Sequence, residues 1–164
     1  MSPSFRTLLY AIFVLGVLLG YIPWQALRLD EAVGRSLDTI LTASGLVLFL
    51  GGALLLFFGV YYLVLRGDGT PFPLDPPKRL VVAGPYAHIQ HPIILGMLMM
   101  VFAEALWTHS PSIGLYALLL ILLVNLYLTY IEEPGLEKRF GEDYRMYRNV
   151  VPRWLPFKRP PSEA

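Results

Sequence analysis

The 164-residue chain is 55% hydrophobic and only 15% charged, against the roughly 25% charge usual for a soluble domain. Thirteen Lys and Arg nearly balance twelve Asp and Glu, so no net field points to nucleic acid. The absence of cysteine excludes disulfides, thiolate nucleophiles and cysteine metal sites, and three histidines argue against a metal cluster.

Residues 5–27 carry one charge, Arg6, and then a long apolar run. The run exceeds a signal-peptide core, no small-x-small cleavage site follows, and Tyr21 and Trp24 sit where an interfacial aromatic belt belongs, so it reads as a first membrane helix. Gly16 and Gly20 form a small-xxx-small pair suited to close helix contact. Residues 40–65 hold no charge over 26 positions, enough to cross about 30 Å of hydrocarbon with some tilt. Within them Gly45, Gly52 and Gly59 recur every seven residues and share one face, which predicts the close approach of another helix.

A connection from residue 66 to 91 follows, rich in Gly and Pro, and long ordered loops are often functional. Pro92 suits the first turn of a third helix, residues 92–109. Glu104 lies within it, about 18 Å along the axis from Pro92 at 1.5 Å per residue. It is expected to face the protein interior in a structural role. The fourth span, residues 113–131, ends at Glu132 and Glu133, where the chain turns polar. Asn125 inside it reads as interhelical glue, and His109 as a loop residue. Leu136, Phe140, Tyr144, Tyr147 and Val151 then fall near helical spacing among basic residues, predicting an amphipathic interfacial helix in the tail, residues 132–164. Gly141 weakens that helix.

Charge placement orients the chain. Arg6, then Arg66, Lys78 and Arg79, and seven residues of the tail put eleven Lys and Arg on one side, against Arg28 and Arg35 on the other. This bias places the middle loop and both termini in the cytoplasm, in an all-α integral membrane domain of about four transmembrane helices. Its expected location is a bacterial inner membrane, with the bilayer itself the first partner. Two polar clusters meet at the cytoplasmic face: Tyr86, His88 and His91 before the third helix, and Glu132 with Glu133 after the fourth. Taken alone, such residues are often plain interfacial groups. Together, a helix N-terminus for a carboxylate and a glutamate for an ammonium suit the zwitterionic end of an amino acid.

The stretch Gly84-Pro85-Tyr86-Ala87-His88-Ile89-Gln90-His91-Pro92-Ile93-Ile94-Leu95-Gly96 is followed by Glu132-Glu133-Pro134-Gly135-Leu136, Phe140-Gly141-Glu142-Asp143-Tyr144 and Val151-Pro152-Arg153-Trp154-Leu155-Pro156. In order and spacing these resemble the isoprenylcysteine carboxyl methyltransferase family and its phospholipid methyltransferase relatives. The resemblance implies S-adenosylmethionine as cofactor and a lipid-soluble or small hydrophobic methyl acceptor. It also implies a cofactor site of Gly84, Pro85, Tyr86, His91, Pro92, Gly96, Glu132, Glu133, Arg153, Leu155 and Pro156. Relatives commonly read Arg-His-Pro with an aromatic residue two places on; here Gln90 and Ile94 stand at those positions. In-line methyl transfer needs no covalent residue, although an amine or thiol acceptor has to give its proton to a group such as Glu133 or His91. The competing readings are an NADPH-dependent oxidoreductase like the membrane sterol reductases, and a non-catalytic membrane protein.

Overall fold

The computed structural model describes Leu9 and residues 12–30, 39–71 and 76–154. Among the described residues every regular element is helical. α1 spans Ile12–Asp30, α2 Thr39–Gly67, α3 Pro92–Thr108, α4 Pro111–Phe140 and α5 Glu142–Val150. α1, α2 and α4 are long and apolar enough to cross a membrane, and α3 is a shorter apolar helix. At 1.5 Å per residue α3 runs about 25 Å. The chain is an integral membrane protein.

α4 outlasts its expected end at residue 131 because a proline is absorbed rather than obeyed. Pro134 has no N–H for the carbonyl of Tyr130, and its ring crowds that oxygen. The helix widens into a π-turn at Leu128–Glu132, with the Glu133 N–H bonded back to Leu128 O, and then continues. α1 treats Pro23 the same way, through a π-turn at Val17–Tyr21 closed by the Ile22 N–H on Val17 O. Gly141, at φ +58°, does break the tail, so the single amphipathic helix expected there is two: the end of α4 and α5.

Two compact units are present, Met1–Leu54 with Gly96–Val124, and Leu55–Leu95 with Asn125–Ala164. In the first, the glycine stripe of α2 does what its spacing predicts. A Cβ on Gly45 would lie 2.8 Å from the Trp107 backbone N, and one on Gly52 2.7 Å from Gly96 O, so α2 and α3 touch almost backbone to backbone. Gly16 and Gly20, by contrast, have nothing within 4 Å of a Cβ among the described residues, where their expected close contact is not made. Ser110 caps α4 by accepting the Ile113 N–H at 3.0 Å, and both Ser110 and Ser112 donate to the buried carboxylate of Asp30 at the end of α1. His109 sits in the turn before it at φ +53°, bonded to Thr42 at 3.0 Å. Glu104 is buried as expected, but its Oε2 finds no hydrogen-bond partner among the described residues.

The second unit has two apolar clusters. Leu63, Val81 and Tyr86 pack with Tyr62 and Ile93; Tyr144, Tyr147 and Val151 pack with Leu80, Leu136 and Phe140. The apolar stripe of α5 is therefore covered by the chain's own loop and by α4. Gly59 brings α2 onto Ile93, whose Cγ1 would be 2.8 Å from a Cβ there.

Candidate functional site

The second unit gathers the polar residues of the loop, the end of α4 and the tail. Gly84 takes φ +61° against the face of Tyr62, whose ring would lie 2.6 Å from any Cβ, so only glycine fits. It starts a 3-10 turn, Gly84–Ala87, with Pro85 in its first turn. That turn buries Tyr86 and aims its carbonyl at α5, where Tyr147 Oη donates to it at 2.7 Å. His91 then caps α3, its carbonyl accepting the Leu95 N–H at 3.0 Å, and Pro92 begins the helix. The amides of the first turn are those of Ile93 and Ile94.

His91 lies between the two glutamates. Its Nδ1 is 3.4 Å from Glu132 Oε1 and its Nε2 3.6 Å from Glu133 Oε1, with the His91 side chain only 4% exposed. Nε2 has no hydrogen-bond partner among the described residues. The π-turn at Leu128–Glu132 shapes the backbone at the acidic pair, within α4. Burial disfavours charge on the imidazole, but the two carboxylates of Glu132 and Glu133 beside it outweigh it and raise the pKa of His91. The neighbouring phenols stay neutral: burial first, and then Glu133, pushes Tyr144 up to about 12, and burial also raises Tyr86 and Tyr147.

Arg153 completes the cluster from the tail. Its Nη2 donates to Glu133 Oε2 at 2.8 Å, its Nε makes an ion pair with Oε1 at 2.7 Å, and its Nη1 donates to Thr129 at 3.1 Å. Arg153 thus takes Glu133, which is 8% exposed, while Glu132 is 28% exposed. Trp154 follows, its indole N–H on Asn125 at 3.1 Å and its ring centroid 6.4 Å from that of His91. Asn125 therefore holds the tail, a role its place in an apolar span did not suggest.

Of the residues the sequence proposes for the site, Gly84, Pro85, Tyr86, His91, Pro92, Glu132, Glu133 and Arg153 all belong to this unit. Gly96 belongs to the first unit and serves the approach to Gly52. His88 is exposed, and Leu155 and Pro156 lie outside the described residues. Thr129, Asn125 and Gln90 went unnoticed as site partners. Their roles depend on where the tail docks, which no spacing encodes.

A family model described as phospholipid methyltransferase matches residues 40–143. An uncharacterized protein of Haemophilus influenzae is 36% identical over 61 residues, covering 37% of this chain and 97% of that one. No solved structure matches.

Proposed function

Because the chain belongs to the phospholipid methyltransferase family and is a membrane methyltransferase, we propose that it uses S-adenosylmethionine to methylate a lipid-soluble or small hydrophobic acceptor at the cytoplasmic face. The observation that carries this reading is the buried His91 held between Glu132 and Glu133 at the start of α3. Such a donor set fits the methionine end of the cofactor. Glu132, the more exposed acid, suits the ammonium, and the first-turn amides of α3 suit the carboxylate. The unpartnered Nε2 of His91 offers one further hydrogen bond.

S-adenosylmethionine supplies a methyl group on a sulfonium, which an acceptor displaces in line. What remains to the protein is to bind, orient and exclude water. Arg153 neutralises Glu133, and the carboxylates beside His91 raise its pKa and favour its charged form. Glu133 and His91 then act chiefly by holding the reactants. A carboxylate acceptor needs no base, and an amine or thiol has Glu132 as the acid with room to take its proton. Transfer of labelled methyl from S-adenosylmethionine to an extract of the host's membrane lipids tests the reading. A labelled lipid product with the purified wild type, lost in Glu132→Gln, is the result expected; wild type that labels neither lipid nor small hydrophobic acceptors would overturn it.

A further inference from the structure

α5 ends in a way that its own backbone cannot satisfy. The Val151 N–H closes the last turn on Tyr147 O at 2.8 Å. The next residue, Pro152, has no N–H, so the carbonyl of Arg148 is left without its helical donor, and that of Val151 points beyond the helix. Both are met from elsewhere in the chain. Gln90 Nε2 donates to Val151 O at 2.5 Å and, more weakly, to Arg148 O at 3.4 Å, while the Gln90 backbone N–H donates to Pro152 O at 3.1 Å. Carbonyl oxygens only accept, so the amide orientation is fixed by its neighbours. Gln90 is 7% exposed, and water has little access to replace it.

We propose that Gln90 is a positioning residue: by capping α5 from across the loop it sets the register in which Arg153 reaches Glu133 and Trp154 reaches Asn125. Three hydrogen bonds from one residue bear on Arg148, Val151 and Pro152, and the next two residues carry the contacts that close the site. Gln90 also immediately precedes His91, so the segment that holds the tail and the segment that presents the imidazole are one. Tyr147 adds a second tie, to Tyr86 O at 2.7 Å, but upstream of the capped end. The functional consequence rests on the S-adenosylmethionine reading; the docking itself does not.

The test uses the full chain in detergent. In Gln90→Leu, hydrogen exchange of peptides covering 147–154 should quicken by about tenfold while peptides within 39–54 stay as in wild type. Gln90→Arg, which keeps donors beside the same carbonyls, should restore protection. Affinity for S-adenosylmethionine should fall about tenfold in Gln90→Leu and in Arg153→Gln, with no further loss in the double variant, because one residue acts through the other. Should Gln90→Leu not purify as a single species, Gln90→Asn, one methylene short of the carbonyls, carries the same test. Wild-type exchange at 147–154, failure of Gln90→Arg to restore protection, or additive losses in the double variant would each overturn the proposal. A wild type that does not bind S-adenosylmethionine would instead overturn the cofactor reading and leave the exchange result to decide the role of Gln90.

Discussion

Arg153 reaches both oxygens of Glu133, at 2.7 and 2.8 Å, across 20 residues of sequence, and so fastens the tail to the end of α4. Glu133 is 8% exposed, and removing the guanidinium leaves its buried carboxylate with His91 alone beside it, at a cost of about 3 kcal/mol. Lys78 and Asp68, 3.8 Å apart with side chains 68% and 65% exposed, form a pair of the kind worth roughly 0–1 kcal/mol. Thermal unfolding in detergent should therefore show a large loss for Arg153→Gln and almost none for Lys78→Gln. Equal losses would mean that the tail is not fastened through this pair.

His91 gives the stability a pH dependence whose sign is fixed. Its pKa in the folded protein is raised above the ordinary 6.5, so the stabilisation from its charged form is complete below that value and is lost as pH rises through the folded pKa. Melting curves should show wild type losing stability as pH rises from the ordinary 6.5 through the raised pKa, and His91→Gln losing less over the same range. Parallel profiles would remove His91 as the titrating group.

The close approach of α2 and α3 predicts a contrast among glycines. Gly52→Ala places a methyl 2.7 Å from Gly96 O, overpacking that costs about 1–3 kcal/mol. Gly16→Ala and Gly20→Ala, with nothing within 4 Å among the described residues, should leave thermal stability unchanged or slightly raised. A tolerated Gly52→Ala would contradict the packing.

The spans were legible because apolar runs of this length have few other uses, and the stripe of Gly45, Gly52 and Gly59 named the face that α3 covers. That α4 runs on past the acidic pair was not legible, because only the π-turn at Leu128–Glu132 shows how Pro134 stands inside the helix, and Pro23 repeats the device. The acidic pair and His91 were found by type and by resemblance. Their allocation was not, because successive residues on a helix point about 100° apart and only the docked tail decides that Arg153 takes Glu133. Gln90 was noted as a departure from relatives; its work on the end of α5 emerges only when Val151 and Pro152 are seen against it.

Topology is a separate expectation, resting on eleven cytoplasmic Lys and Arg against two outside. Reporter fusions after residues 80 and 160 should both read cytoplasmic, and one near residue 110 external. Opposite readings for the first two would remove α3 as a span.

The central claim is that the cluster around His91 binds S-adenosylmethionine, and isothermal titration of purified protein tests it most directly. Wild type should bind, and Glu132→Gln and Glu133→Gln should each lose on the order of 1.5 to 3 kcal/mol, roughly ten- to a hundredfold in affinity. Glu132 would lose a direct contact to the ammonium, and Glu133 the anchor of Arg153. His91→Ala should lose less, since the amides of α3 remain, and Glu104→Gln, in the first unit, should bind as wild type. Wild-type affinity in both glutamate variants, each confirmed monodisperse, would contradict the site, and a well-folded wild type that does not bind would contradict the cofactor.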